Sequence, residues 1–259
     1  MVAITLMHSA FLVKHLSPES PLCNPMLNLS HTQLVTSIRS PSIDRLKLKF
    51  VSFGNFKAPI KAALFSFSSE GNHHKNTDRM IPPYNVLITG GSKGIGYALA
   101  KEFLKAGDNV FICSRSAERV DSALEELREE TGKQNVWGTK CDVRDSNNVR
   151  RLVAFAKQDL KYIDIWINNA GSNAYSYKPL VEASDEDLIE VVTTNTLGLM
   201  ICCREAIDMM LNQPRGGHVF NIDGAGSDGR PTPRFAAYGA TKRSVAHLTK
   251  SLQNWRCKM

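Results

Sequence analysis

One segment limits what this chain can fold into more than any other. Asn85-Val86-Leu87-Ile88-Thr89 is a short, β-rich apolar run, and it ends in Gly90-Gly91-Ser92-Lys93-Gly94-Ile95-Gly96. An amphipathic stretch over residues 94–105 follows at once, with Ile95, Leu99, Phe103 and Leu104 expected on one face. Glycines at a strand-to-helix junction let the backbone turn tightly and come close to a pyrophosphate, whose charge then rests on the positive end of the helix. The spacing is Gly-x-x-x-Gly-x-Gly rather than Gly-x-Gly-x-x-Gly. A glycine cluster alone can be a structural turn; its place between a strand and a helix makes it a cofactor signal.

The same alternation continues downstream. Strands are expected over residues 110–113, 136–140, 163–167 and 218–222. Between them lie a charged helix over 116–130 closed by Thr131-Gly132, and a helix over 146–160 carrying Val149, Leu152, Val153 and Phe155. Ser184 is placed to cap a long helix whose acidic opening, Asp185-Glu186-Asp187, suits the positive end of the helix dipole. A last helix begins near Ala236. Near-continuous apolar strands alternating with helices predict an α/β, doubly wound parallel sheet of Rossmann type, covered on both faces. No apolar run approaches the roughly 18–20 residues that cross a bilayer.

Residues 1–78 read differently. The first 69 hold 14 Ser and Thr but only two acids, Glu19 and Asp44, with basic residues scattered through them. That is the composition of an organelle transit peptide, and Gly71–Asp78 reads as a polar linker before the domain at 79–259. An ordinary disordered extension is the plainer alternative. Residues 1–80 carry nine Lys and Arg against four acids, whereas 81–259 carry 23 against 21, so the net charge of +7 sits mostly in the extension. This argues against nucleic acid as a partner. The six cysteines show no paired metal-type spacing, which predicts neither a zinc site nor a disulfide framework.

Two further clusters carry chemistry. Cys113-Ser114-Arg115 lies where a second strand should meet the adenosine ribose, and it offers a cation instead of an acid. With Lys93 in the glycine loop, it favours the 2′-phosphate of NADPH over the 2′-hydroxyl of NADH. Tyr238-Gly239-Ala240-Thr241-Lys242 places a phenol and an ammonium on one helix face. A nearby cation is expected to lower the phenol's pKa and make it a workable acid.

Together these motifs resemble the short-chain dehydrogenase/reductase family over about residues 84–254. The glycine motif matches at Gly90, Gly94 and Gly96, with Ser92, Lys93 and Ile95 in the same cofactor loop. Asp142-Val143 matches the family's adenine-contacting pair, and Asn168-Asn169-Ala170-Gly171 its element beside the cofactor. The resemblance implies that Tyr238 is the catalytic acid, that Lys242 binds the nicotinamide ribose, and that Asn195 joins a proton relay through water. The family's catalytic Ser, 13 positions before the Tyr, falls on Ala225; Ser227 is the nearest hydroxyl that could replace it.

Asp223-Gly224-Ala225-Gly226-Ser227, with Thr232-Pro233 after it, further resembles the plant chlorophyll(ide) b reductases, in their smaller form without membrane spans. That resemblance implies NADPH-dependent reduction of the C7 formyl group of chlorophyll b or chlorophyllide b. It also implies a peripheral place on the stromal face of the chloroplast thylakoid, self-association, and a larger membrane-anchored paralogue as partner. Family members normally continue beyond the Tyr-Lys helix, so the chain is expected to lack the last two strands and to leave 218–222 as a sheet edge. A catalytically impaired form acting as a binding partner, and a plastid reductase of another carbonyl such as a β-ketoacyl thioester, are the alternatives.

Overall fold

The computed structural model describes residues 2–7, 80–174 and 177–254, all within one compact unit. The transit-peptide and linker readings concern residues 1–78, of which all but 2–7 lie outside the described residues. Six parallel strands form the sheet: β1 (Val2–Met7), β2 (Asn85–Thr89), β3 (Asn109–Ser114), β4 (Val136–Lys140), β5 (Ile165–Asn168) and β6 (Gly217–Ile222). Their order is β1-β6-β5-β2-β3-β4. The chain therefore steps outward from β2 to β4, crosses back to β5 on the other side of β2, and leaves a crevice where the direction reverses. In such sheets ligands bind at that reversal, beyond the carboxyl ends of the strands.

The expected open edge at 218–222 is not what the structure shows. Val2–Met7 pairs in parallel with Gly217–Ile222, residue for residue, so β6 is an inner strand. Ile4 is 8% exposed within the hydrophobic core, and Gln253 Nε2 donates to its carbonyl at 2.7 Å. The leader reading covers these residues too; their β-rich apolar run is what lets them pair with the ladder of backbone groups on β6.

Among the described residues six α-helices cover the sheet: α1 (Gly94–Ala106), α2 (Ala117–Thr131), α3 (Ser146–Leu160), α4 (Asp185–Val192), α5 (Leu199–Leu211) and α6 (Ala236–Asn254). α1 and α2 pack on β2, β3 and β4, while α3 and α5 bury the core around Leu87, Phe111, Trp166 and Val219. Local signals set most helix ends. Ser116 accepts from Arg119 N at the start of α2, Asp145 from Asn147 N and Asn148 N at α3, and Ser184 from Asp187 N at α4. Gly132 ends α2 in the left-handed region at φ 65°.

Three expectations shift. The buried face of α1 is Gly96, Ala100 and Leu104, because the glycine loop presses that side of the helix against the sheet. Phe155 of α3 is 47% exposed, the buried positions being Val149, Leu152, Ala156 and Leu160. The long helix after Ser184 is interrupted by a π-helical turn, Thr193–Gly198, between α4 and α5. Such a turn often marks a functional site, and here it holds Asn195, 2% exposed.

Candidate active site

The glycine loop and the loop after β5 are built as one piece. Thr89 Oγ1, at the end of β2, accepts from Asn169 N and Ala170 N, each at 3.1 Å. Asn169 Nδ2 returns to Thr89 O and Gly90 O, each at 3.0 Å. A Cβ on Gly96 would run into Gly90 O and Asn169 Nδ2, so only glycine lets α1 start this close to the strand ends. Gly90 itself sits at φ 67°. α1 has no side-chain cap and no acid in its first turn, which leaves its N-terminal dipole available to an anion. Ser92 and Ile95 line the turn half-buried, while Lys93 and Gly94 are exposed on it.

At the far end of the crevice, three elements bring charges together. Arg115 Nη1, just after β3, bonds Glu190 Oε1 of α4 at 2.7 Å. Arg144 Nη1, after β4, bonds the other oxygen of Glu190 at 2.6 Å, and its remaining nitrogens clasp Asp142 at 2.6–3.0 Å. Burial acts to raise the Asp142 carboxyl, but hydrogen bonds and charge from Arg144, with the charge of Arg115, outweigh it and hold it below its ordinary value. Val143 is buried against Gly198. Arg115 thus stands where a 2′-phosphate cation is expected, already engaged by a carboxylate that sequence reading did not single out.

The third group lies at the carboxyl ends of β5 and β6. Asn195 Nδ2 donates to Ser172 O at 2.7 Å and Thr241 Oγ1 at 3.0 Å, while its Oδ1 accepts from Ser172 N at 2.8 Å. The side chain therefore ties the loop after β5 to α6. A Cβ on Gly171 would lie 3.3 Å from Asn195 Oδ1 and 3.6 Å from Lys242 Nζ, so its absence keeps open the space between those two groups. Lys242 is 6% exposed and donates to Ile222 O at 3.1 Å. Its ammonium stands 5.6 Å from the centre of the Tyr238 ring. Burial pulls Lys242 down to about 8, with Asp223 acting the other way. Tyr238 differs from expectation: burial, then the charge of Asp223, push the phenol up from its ordinary value.

Ser227 is 7% exposed, and its hydroxyl donates to Asp223 Oδ2 at 2.9 Å. Ala225, the position reached by counting back 13 from the Tyr, is exposed. Gly224 instead faces the phenol: a Cβ there would collide with Tyr238 Oη. Glu190 and Arg144 are the residues that motif reading passed over, and Asp223 and Gly224 entered it only within a longer segment, with no role of their own. A lone acid ending an apolar strand was the available signal for Asp223. Beyond Tyr238 the crevice opens between Ala174, Lys178, Leu180 and Phe235. Phe235 lies edge-on to Tyr238 at 6.1 Å and beside Tyr177 at 5.0 Å, and Tyr177, Leu180 and Val181 form an exposed apolar lip.

Similarity to known proteins follows the same lines. The short chain dehydrogenase family model matches residues 84–255. The chain is 80% identical over 174 residues to chlorophyll(ide) b reductase NOL, chloroplastic, of Oryza sativa subsp. japonica, covering 67% of this chain and 51% of that protein. The corresponding Arabidopsis thaliana protein is 79% identical over 174 residues, covering 67% and 50%. The chain spans about half the length of these curated relatives. Among solved structures, a variant of actinorhodin polyketide ketoreductase with NADPH superposes with a TM-score of 0.59 at 32% identity, covering 65% of this chain and 63% of that one. With its glycine loop, Asn-Asn-Ala-Gly element and Tyr-Lys helix assembled at one switch point of a parallel sheet, the chain belongs to the short-chain dehydrogenase family.

Proposed function

We propose that this chain is an NADPH-dependent reductase acting on the C7 formyl group of chlorophyll b or chlorophyllide b, giving the 7-hydroxymethyl pigment at the first step of chlorophyll b degradation. The observation that carries this reading is the 80% identity to the rice reductase over 174 residues. The apolar, aromatic lip of Tyr177, Leu180, Val181 and Phe235 suits a large planar macrocycle better than a small thioester. A chloroplast setting agrees with the names of both relatives. Within it we place the protein on the stromal face of the thylakoid, where its substrate is held, with a larger membrane-anchored paralogue and a second copy of itself as partners.

The residues present fit a dinucleotide. Gly90 and Gly96 let the loop close against Asn169 and Ala170 while Gly94 leaves its turn open, the uncapped start of α1 suits a pyrophosphate, and Asn169, Ala170 and Gly171 frame the crevice beside it. Asp142 and Val143 would flank the adenine, and Arg115 with Lys93 would hold the 2′-phosphate, which favours NADPH. When bound, the cofactor supplies the hydride. Tyr238 gives its phenolic proton to the developing alkoxide. Lys242 holds the nicotinamide ribose and offsets the negative charge left on the phenolate. Asn195 keeps a relay water in the space that Gly171 leaves open. Ser227 serves as the second donor to the carbonyl, turning its hydroxyl from Asp223 to do so.

The test is pigment chromatography after the 259-residue chain is incubated with NADPH and chlorophyll b or chlorophyllide b, beside a β-ketoacyl thioester. The 7-hydroxymethyl product supports the reading. NADPH binding with no turnover of any substrate would overturn it for this chain and favour the non-catalytic binding role. Turnover of the thioester alone would overturn the choice of substrate.

A further inference from the structure

Asp223 has no part in the mechanism above, yet it is among the most buried acids in the fold, at 2% exposure. It follows β6 directly, and its chain neighbours touch both catalytic side chains. The carbonyl of Ile222 accepts the Lys242 ammonium at 3.1 Å. A Cβ on Gly224 would strike Tyr238 Oη and lie 3.2 Å from Lys242 Cγ. The carboxylate accepts the Ser227 hydroxyl at 2.9 Å. A neutral hydroxyl cannot balance a buried full charge, which is costly unless a cation is near.

Among the described residues, Tyr238 and Lys242 of α6 are ionisable groups within reach of the Asp223 charge. Other charges nearby are engaged elsewhere. Arg243 Nη1 donates to Ser227 O at 2.8 Å, and Asp228 pairs with Arg230 on the outer turn. From α5, the Cys203 thiol faces Asn221 rather than the carboxylate. Lys242 has the complementary problem: an ammonium at 6% exposure whose burial favours the neutral amine.

We propose that Asp223 is the counter-ion that keeps Lys242 an ammonium inside the fold, and so a positioning residue for the Tyr238–Lys242 pair, with the Ser227 hydroxyl resting on the carboxylate until substrate takes it. This arrangement explains how a lysine can be so enclosed and still carry charge. Its bearing on hydride transfer rests on the proposed roles of Tyr238 and Lys242; the charge pairing itself does not.

The pH dependence of unfolding of the 259-residue chain, without cofactor, separates charge pairing from simple packing. Lys242 stands at about 8 in the fold against an ordinary 10.5. Below pH 8 both folded and unfolded chains carry its proton, so the strain of burying the ammonium is present in full. Between the two values the unfolded chain binds more protons, and stability from this group rises with pH. Asp223→Asn keeps an acceptor for Ser227 but removes the counter-charge. It is expected to lower Tm by about 5 °C at pH 6.5. At pH 9.5, where Lys242 is neutral in both proteins, less than half of that deficit should remain. An equal deficit at the two pH values, or none at either, would overturn the proposal.

If Asp223→Asn does not fold at pH 6.5, the double variant with Lys242→Met decides, since removing both charges should restore folding. Failure of the double variant would mean that the turn needs the Asp side chain whatever Lys242 does, and the pairing would fall. Ser227→Ala, which keeps the charge, should leave the pH dependence of Tm as in the wild type; a loss of that dependence would also count against the proposal. NADPH affinity supplies a further reading. Its weakening with rising pH should be centred near the wild-type Lys242 value and move about one unit lower in Asp223→Asn. An unmoved midpoint would overturn the positioning role. A wild type that binds no NADPH at any pH would sink the proposed function, while the unfolding curves would still decide the charge pair.

Discussion

Gly224 shows how a site can depend on a missing side chain. Counting along the chain points to Ala225 as the position of the family's serine, but Ala225 is exposed and Gly224 is the residue lying against the phenol. Gly224→Ala would drive a methyl group into Tyr238 Oη, and turnover is expected to fall at least about tenfold through displacement of the acid. Ala225→Gly, measured beside it, should change turnover little. Tyr238→Phe removes the proton donor without adding bulk. It should cost about 10²–10⁴ in turnover and leave NADPH affinity within a few-fold, as read by nicotinamide fluorescence. A large loss of NADPH binding in that variant would mean that Tyr238 holds the cofactor rather than the proton.

Between elements, the chain Arg115–Glu190–Arg144–Asp142 links the ends of β3 and β4 to α4. Glu190 pairs with Arg115, the cation proposed to hold a 2′-phosphate, so on that proposal it competes with the phosphate. Glu190→Gln is expected to tighten NADPH about threefold or more while leaving NADH nearly unchanged. Arg115→Gln should weaken NADPH about tenfold with little effect on NADH. Both are read from paired titrations at one ionic strength, because partly exposed charges are screened by salt. If Glu190→Gln weakens NADPH instead, the carboxylate is orienting Arg115 rather than competing for it.

The pairing of β1 with β6 belongs to the same scale. Ile4→Asp puts a charge among core side chains and should unfold β1 from the sheet. The uncovered β6 ladder is then expected to promote association, seen by light scattering as a concentration-dependent rise in mass. A monodisperse variant with unchanged Tm would show that the strand contributes nothing to the fold in solution.

At the scale of the whole molecule, the sheet and the helices on it enclose four thiols among the described residues. Cys113, Cys141, Cys202 and Cys203 are buried and free. Burial pushes Cys202 up, and Cys203 up to about 12; the hydrogen bond of the Cys113 thiol with Cys141, followed by burial, does the same for Cys113. Thiol labelling mapped by peptide mass is therefore expected to spare these positions in the native protein and to reach them only on unfolding. Labelling of Cys202 or Cys203 at native pH would show that α5 opens locally from the sheet.

Periodicity and capping residues located the helices and the strands from Asn85 onward, though not the π-helical turn that divides α4 from α5 nor the buried face of α1, because those signals act within a few residues: Ser116, Asp145 and Ser184 cap where they stand, and Gly132 stops α2. The glycine loop and the Tyr238–Lys242 pair stood out as candidates for a similar reason, since each is a short fixed spacing, whereas Asn195 came only from the family resemblance. What lay beyond reach was set by approach through space. No local pattern says that Val2–Met7 will find β6 more than 200 residues away, that Glu190 will meet two arginines, or that Gly224 rather than Ala225 will face the phenol. Nor does spacing report that burial and Asp223 raise Tyr238 while burial lowers Lys242, because desolvation exists only once the sheet and α6 have closed around them.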